Sequence, residues 1–366
     1  MTDNSDLSPL FRPLKIGSHI VPSRLFLAPV NTGYAESGRT SKLLVDFHKD
    51  RSGPAVGINM IGNVAVSADG ASNEGTLLLE SDAAAQDLRF LAETISALGS
   101  TPGIQLAFSP PGLMPTRNWV ARDPKGEQER LRSLISSIPN ARVANILEMF
   151  LRSIAHGARA GFKVLQIHAA HGYFLSLLTN PIVNLRTGEY SADSRWFEDF
   201  IARALNVAGD AILSVRFSLF SGLLADQRPE VEFISQLSAR CAKLGVPLLD
   251  YSAGFYSVDK RLIYPGLERG PMPYLDLLRP IAKLVDCIVS LGGNICDTRN
   301  IPDLEGNMAV SVGRALIADP DFAAKSRLRA YGSIQACTRR ARCHYFSRGR
   351  RGLQCGVNTA LGTIRA

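Results

Sequence analysis

The sequence contains no long apolar segment. No run approaches the roughly 18 residues that a helix needs to cross a bilayer, and residues 1–6 are polar and acidic rather than basic and apolar. We therefore expect neither a membrane span nor a signal peptide. The six cysteines follow no regular disulfide spacing, which predicts a reducing, cytoplasmic location.

The sequence also lacks segments that would divide it. No stretch rich in Gly, Pro and Ser separates parts of the 366 residues, and no G-x-G-x-x-G motif opens a helix. The missing glycine motif argues against an open doubly wound sheet, which is the second possible architecture. A single domain of this length is most often a barrel of about 250 residues with insertions.

Positive charge is unevenly distributed. The formal net charge is +8, and many basic residues lie near the C-terminus: Lys325, Arg327, Arg329, Arg339, Arg340, Arg342, Arg348, Arg350 and Arg351. This distribution predicts a local basic surface, either solvated or attractive to an anionic substrate, and not a nucleic-acid-binding protein.

Strand and helix patterns alternate along the chain. Strand patterns occur at 24–29, 56–62, 103–107, 163–168, 211–217, 247–252, 287–291 and 308–312. Helical spacing occurs at 82–98, 144–160, 196–208, 229–243, 273–284 and 319–329, and prolines mark a loop from Pro110 through Pro111 and Pro115 to about Gly126. Such alternation predicts an α/β fold, a (β/α)8 TIM barrel. We expect the barrel to span 1–330 and a Cys- and Arg-rich extension, 331–366, to pack on it.

Polar and small residues cluster where the predicted strands end. They include Pro29, Asn31, Gly62, Asn63, Gln105, His168, Arg216, Ser252, Gly292, Gly293, Gly313 and Arg314. The carboxyl ends of barrel strands meet at one face, which carries the active site. These residues are therefore expected to lie together.

The segment 166–173 carries two histidines and a tyrosine, His168, His171 and Tyr173, separated by small residues. Two neutral imidazoles can hold a carbonyl oxygen, and a tyrosine with a pKa near 10 is a proton donor at neutral pH. Two alternatives are open: one histidine is a core residue beside a packing tyrosine, or the pair binds a metal in a barrel hydrolase. The metal site would need a third ligand, and none falls at a neighbouring strand end.

Two glycine-containing segments fit a phosphate site. Gly292-Gly293 follows the seventh predicted strand and Gly313-Arg314 the eighth, where barrels commonly bind phosphate through backbone N–H groups. Gln105 and Arg216 could donate to the edge of a flat heterocycle, and a fixed cation would stabilise a reduced flavin. The alternative for Arg216 is a buried ion pair.

Several segments resemble the Old Yellow Enzyme family of FMN-dependent barrel oxidoreductases over essentially the whole chain. They are residues 10–17, 28–32, 167–173, 180–190 and 312–320. The resemblance implies a reductase of an activated C=C bond next to a carbonyl, or the reverse dehydrogenase, with NAD(P)H as reductant. It implies that His168 and His171 bind the carbonyl oxygen, and that Tyr173 protonates the α-carbon while N5 of the flavin delivers hydride.

The resemblance also implies positions for FMN. Its phosphate would lie near Gly292, Gly293, Gly313 and Arg314, its pyrimidine edge near Gln105 and Arg216, and its remaining ring near Ala28, Pro29, Val30, Asn31, Gly62 and Asn63. Asn31 stands where the family commonly has Thr or Cys. Its amide can still donate, so we expect an altered redox poise and retained binding.

Three cysteines of the extension, Cys337, Cys343 and Cys355, resemble the iron-sulfur segment of the subgroup containing 2,4-dienoyl-CoA reductase and trimethylamine dehydrogenase. Arg340 replaces the second cysteine, and guanidinium cannot ligate iron. A 4Fe-4S cluster, with His344 or a small molecule as fourth ligand, and a remnant without iron are both open. The remaining cysteines, Cys241, Cys287 and Cys296, are expected in the core.

The expected partner is a small unsaturated carbonyl compound, either neutral or anionic, and neither a nucleic acid nor a membrane. That subgroup carries further flavin and nicotinamide domains after the barrel, whereas this sequence stops at Ala366. A homo-oligomer or a separate electron-donor protein is therefore expected. A flavin-binding subunit without catalysis is the alternative.

Overall fold

The apolar segments of the sequence form short parallel strands. A computed structural model describes residues 8–110, 112–113, 118–341 and 343–363, so Pro111, Pro115 and Arg342 fall outside the described residues. The strands are Leu14–Ile16 (β1), His19–Val21 (β2), Leu25–Val30 (β3), Ile58–Ala65 (β4), Leu77–Leu78 (β5), Thr101–Ala107 (β6), Val164–Ala169 (β7), Ile212–Ser218 (β8), Leu248–Ser252 (β9), Ile288–Gly292 (β10) and Met308–Val312 (β11).

Helices cover most connections between these strands. They are Lys42–Lys49 (α1), Asp82–Ala97 (α2), Pro124–Ser137 (α3), Asn140–Arg159 (α4), Phe174–Thr179 (α5), Trp196–Ala208 (α6), Arg228–Lys243 (α7), Lys260–Ile263 (α8), Leu275–Leu284 (α9), Arg314–Ala318 (α10) and Phe322–Arg327 (α11). Short 3-10 helices occupy Pro9–Phe11, Ala68–Gly70, Thr298–Asn300, Tyr331–Ser333 and Phe346–Arg348. Within the described chain, no helix is long and apolar enough to cross a membrane.

Eight strands close into a barrel. They pair in parallel in the order β3, β11, β10, β9, β8, β7, β6 and β4, and β4 pairs again with β3. Barrel strands such as β7 and β8 are buried on both faces along their whole length. Helices cover the outside of the barrel and side chains fill its inside. The predicted (β/α)8 TIM barrel is confirmed.

The two ends of the barrel differ in polarity. At the amino-terminal end, the antiparallel hairpin β1–β2 places Leu14, Ile16 and Val21 against Ile58, Ile212 and other apolar side chains of the strands. Apolar contacts of this kind exclude water and stabilise closure of that end. The opposite end is left for the polar residues of the strand termini.

The predicted helix 319–329 is shorter than expected and forms α11, Phe322–Arg327. It is separated from the preceding α10 because Asp319 takes an extended conformation and Pro320 follows it. The Asp319 carboxylate accepts hydrogen bonds from the backbone N–H groups of Asp321 at 3.0 Å and Gln335 at 2.8 Å. A carboxylate that satisfies local N–H groups competes with a continuous helix.

The described part of the extension, 331–341 and 343–363, crosses the carboxyl end of the barrel. The backbone N–H of Leu353 donates to the carbonyl of Thr32 at 2.7 Å, and Lys260 Nζ donates to Ser347 Oγ at 3.0 Å. A Cβ on Gly33 would lie 2.8 Å from the ring of Tyr345. We call this segment the tail.

Candidate active site

A cleft of about 1320 Å³, measured into the open solvent at its mouth, lies between the carboxyl end of the barrel and the tail. It brings together every predicted catalytic and cofactor residue except Gly62: Ala28, Pro29, Val30, Asn31, Asn63, Gln105, His168, His171, Tyr173, Arg216, Gly292, Gly293, Gly313 and Arg314. Gly62 does not line the cleft. A Cβ there would lie 2.4 Å from the Cβ of Pro29, so this glycine lets β4 pass close to β3.

His168 ends β7 on the cleft side, and the turn after it presents His171 and Tyr173. His171 has a φ of 63° and Gly172 a φ of 82°, a left-handed pair that reverses the chain. The ring centres of His168 and His171 are 5.2 Å apart, and those of His168 and Tyr173 4.5 Å apart. His168 Nδ1 and His171 Nε2 are buried and have no hydrogen-bond partner among the described residues.

Electrostatics keep all three groups uncharged near neutral pH. Burial, and then the positive charge of Arg216, lowers the pKa of both His168 and His171 well below 6.5. Burial raises the pKa of Tyr173 far above 10. A neutral imidazole has one donor and one acceptor nitrogen, so the pair can bind an oxygen while the phenol keeps its proton. Each of the two imidazoles therefore leaves a buried nitrogen that a ligand atom could satisfy.

The two neutral imidazoles predict loss of stability in acid. Below about pH 6.5 the unfolded chain takes up protons that the folded chain does not, so the free energy of unfolding should fall by about 1.4 kcal/mol per pH unit for each imidazole. We expect urea denaturation at pH 7 and pH 5 to show this loss. The His171→Gln variant should lose less stability over that interval, and an unchanged loss would contradict the prediction.

Arg216 both pairs with an acid and faces the cleft. Strand register places it beside His168 on β7 and Asp250 on β9, and its Nη1 lies 3.3 Å from Asp250 Oδ2. That pair is close without hydrogen-bond geometry, and Arg216 Nε is buried with no bonding partner in the described chain. Ser290 donates to the other carboxylate oxygen of Asp250. The ion-pair interpretation is therefore correct, and it leaves the Nε–H group available to a ligand.

The glycine segments form a cradle at the other end of the cleft. Gly293 has a φ of 140°, which L side chains rarely adopt, and a Cβ on Gly292 would lie 3.4 Å from the carbonyl oxygen of Ser311. Gly313 precedes α10, and Arg314 Nη1 is buried without a partner among the described residues. Two glycine-containing turns and one guanidinium thus meet at that end of the cleft.

These free donors fit FMN. Buried side-chain nitrogens without a described hydrogen-bond partner occur along the cleft: Asn63 Nδ2, His168 Nδ1, His171 Nε2, Arg216 Nε and Arg314 Nη1. An unsatisfied buried polar group costs about 1–3 kcal/mol, so these atoms indicate a ligand with several acceptors. A phosphate at the cradle and a heterocycle with carbonyl groups along the strand ends would supply them.

Sequence reasoning missed one wall of the cleft. Ser72, Asn73, Tyr264, His344, Tyr345 and Phe346 also line it. Tyr256 hydrogen-bonds to Tyr264 at 2.8 Å, and the ring centres of Tyr264 and His344 are 5.1 Å apart. The loop around Ser72 gave no sequence signal. The tail residues were overlooked because its cysteines suggested iron binding.

The described residues do not fit a four-iron cluster. The neighbouring Cys296 thiol lowers the pKa of Cys337. Of the three cysteines expected in the core, Cys241 is buried, whereas Cys287 and Cys296 are only partly buried. Cys343 lines the cleft. No group of three or more His, Cys, Asp or Glu side chains in the described ranges could hold a metal ion. That finding also removes support for a hydrolase metal at His168 and His171.

Comparisons with known proteins agree with this geometry. The model of the NADH:flavin oxidoreductase / NADH oxidase family matches residues 9–330. An "NADH oxidase" of Thermoanaerobacter brockii is 27% identical to this chain. The aligned region covers 96% of this chain and 56% of that protein. An "NADPH dehydrogenase" of Geobacillus sp. (strain WCH70) is also 27% identical, over 77% of this chain and 83% of that protein.

The fold is shared with solved structures as well. A complex of 2-naphthoyl-CoA reductase superposes with a TM-score of 0.79 at 16% identity, over 97% of this chain and 57% of the other. The chain thus spans little more than half the length of that structure and of the NADH oxidase. The chain belongs to the NADH:flavin oxidoreductase / NADH oxidase family, with FMN as its cofactor.

Proposed function

We propose that this protein reduces an activated C=C bond conjugated to a carbonyl, or catalyses the reverse dehydrogenation, with electrons from NAD(P)H. The observation that carries the proposal is the pair of buried imidazole nitrogens without described partners, His168 Nδ1 and His171 Nε2, beside the protonated Tyr173. A cleft that offers donors for an oxygen and a proton for a carbon suits this reaction.

The cleft residues divide into two groups with respect to FMN. We propose that Gly292, Gly293, Gly313 and Arg314 hold the phosphate, and that Gln105, Arg216, Ala28, Pro29, Val30, Asn31 and Asn63 border the ring. One hydrogen of the Gln105 amide is already used, since Nε2 donates to Gln166 Oε1 at 2.8 Å. When bound, FMN supplies the hydride, and the fixed charge of Arg216 favours its reduced form.

The protein's own groups supply polarisation and a proton. His168 and His171 bind the carbonyl oxygen and stabilise the negative charge that develops on it. Tyr173 gives its proton to the α-carbon, and burial keeps that proton in place until then because it raises the pKa of the phenol. The tail forms one wall of the cleft and limits access of water to these groups from that side.

The far wall of the cleft suggests a flat substrate. Tyr256, Tyr264 and His344 contact one another through their rings there, and no Asp or Glu is among the described lining residues. Arg340, Arg348, Arg350 and Arg351 are exposed and lie outside this lining. The cleft therefore favours a flat unsaturated carbonyl compound, either neutral or anionic, over a cationic one.

The function can be tested with the purified protein. We expect a yellow protein that releases FMN on denaturation, whose flavin is bleached anaerobically by NADPH or NADH and recovers its colour when cyclohexenone is added. Protein that binds no FMN would refute the proposal. Flavin that is reduced by NAD(P)H but not reoxidised by any of a panel of enones would favour the non-catalytic flavin-binding subunit.

We also propose a cytoplasmic location, since NAD(P)H is an intracellular reductant and the six cysteines are free thiols. A homo-oligomer or a separate electron-donor protein stays a prediction. Size measurement of the flavin-loaded protein, alone and mixed with candidate reductases, would test it.

A further inference from the structure

Hydrogen bonds connect the tail to the strand ends of the barrel. Asn73 Nδ2 donates to the hydroxyl of Tyr345 at 3.0 Å, and that hydroxyl donates to Asn31 Oδ1 at 2.9 Å. Asn31 Nδ2 in turn donates to Asn63 Oδ1 at 2.9 Å. All four side chains line the cleft. We call this series of bonds the amide relay.

Backbone groups fix the direction of the relay. The N–H of Gly33 lies 3.0 Å from Asn31 Oδ1, and the N–H of Gly75 lies 3.0 Å from Asn73 Oδ1. A backbone N–H only donates, so each of these side-chain atoms must be the carbonyl oxygen. The amide groups of Asn31 and Asn73 therefore cannot be turned around without losing a backbone bond.

The fixed direction determines which end of Asn63 faces the cleft. Because Asn31 presents its NH2 group, Asn63 must present its oxygen to Asn31. Its own NH2 group then points away from Asn31. This nitrogen is buried without a partner of full hydrogen-bond geometry among the residues the structure describes, although the side chain lies close enough to the Tyr173 hydroxyl to oppose the rise in the pKa of that phenol. Asn63 is only 6% exposed, so solvent does not satisfy the donor. An acceptor on a ligand in the cleft would do so.

The Tyr345 hydroxyl is the one member of the relay that comes from the tail. It accepts from Asn73 and donates to Asn31, so it adds a second donor, beside the N–H of Gly33, to the Asn31 oxygen. Donation to a carbonyl oxygen polarises the amide and strengthens its N–H groups as donors. The tyrosine thereby supports the bond from Asn31 to Asn63 that keeps the Asn63 amide in this orientation.

We propose that Tyr345 is a positioning residue for the cofactor, acting through Asn31 to hold the Asn63 amide as a donor toward an acceptor atom of FMN. The inference rests on the proposed placement of FMN in the cleft. It makes the tail, which lies beyond the residues matched by the family model, part of the cofactor site.

A double-mutant cycle tests the inference through FMN affinity, measured by quenching of flavin fluorescence on titration of the flavin-free protein. A net hydrogen bond corresponds to about a 2- to 12-fold change in binding, so Asn63→Ala and Tyr345→Phe should each raise the Kd for FMN by that factor. The double variant should bind no more weakly than Asn63→Ala alone, because Tyr345 acts only through Asn63.

Tyr34→Phe is the matched control. Its hydroxyl also bonds the tail, at the carbonyl of Leu353, but outside the relay, so the Kd should be unchanged. The relay is refuted if Tyr345→Phe leaves the Kd unchanged, if it weakens binding further in the Asn63→Ala protein, or if Tyr34→Phe weakens binding equally. Failure of the wild-type protein to bind FMN would instead refute the proposed function.

Discussion

Replacing Tyr173 with Phe should slow the reoxidation of reduced flavin by an enone by about 100- to 10,000-fold, the usual contribution of a general acid. The ring of Tyr173 lies 4.5 Å from that of His168, and its hydroxyl is the buried proton source beside the carbonyl-binding imidazoles. Phenylalanine keeps the ring and removes the proton. Stopped-flow absorbance at the flavin band measures the rate directly.

The reductive half-reaction provides an internal control for this variant. Hydride transfer from NAD(P)H needs no proton from Tyr173, so flavin bleaching by NAD(P)H should keep its rate. Tyr256→Phe is a matched control, since the ring centres of Tyr173 and Tyr256 are 6.1 Å apart and Tyr256 also lines the cleft. Reoxidation that is unchanged in Tyr173→Phe but slow in Tyr256→Phe would assign the proton to Tyr256.

Replacing Arg216 with Leu should destabilise the protein by about 3–5 kcal/mol, because removal of one partner leaves a buried charge uncompensated. Asp250 is 2% exposed and lies 3.3 Å from the guanidinium. Burial already raises the pKa of this carboxyl, while Arg216 opposes the rise. The variant should therefore take up a proton at Asp250, and urea denaturation of the flavin-free protein measures the lost stability.

A second substitution separates stability from cofactor binding. Changing Asp250 to Leu as well removes the stranded charge, and buried ion pairs replaced by apolar residues are often stability-neutral. The double variant should recover most of the lost free energy of unfolding but still bind FMN weakly, since Arg216 Nε is gone from the cleft. Recovery of both properties would show that Arg216 is only the counterion of Asp250.

The residues changed in these two variants are brought to the site in different ways. His168 and Tyr173 lie five residues apart on one strand and its following turn, and their proximity was visible in the sequence. Arg216 and Asp250 meet because parallel strands β8 and β9 align them laterally. No local pattern in the sequence indicates such a register.

The role of the tail is the feature of the site that the sequence indicates least well. Its cysteines suggested iron, whereas the described tail residues that line the cleft are Cys343, His344, Tyr345, Phe346 and Leu353. The bond from Tyr345 to Asn31 joins residues 314 positions apart. Contacts at that separation depend on how the whole chain closes, so spacing and composition do not predict them.

Apolar runs in the sequence determined the eight strands, since a strand buried on both faces must be apolar along its length. The polar residues at the ends of these strands indicated which side chains share one face of the barrel. Glycines at the phosphate cradle and the His168–Tyr173 segment were likewise visible in the sequence. Only the tertiary structure decided the pairing of Arg216 with Asp250, the direction of the Asn63 amide and the wall supplied by the tail. Each depends on polar side chains from distant segments, which must form hydrogen bonds or ion pairs with one another once water is excluded.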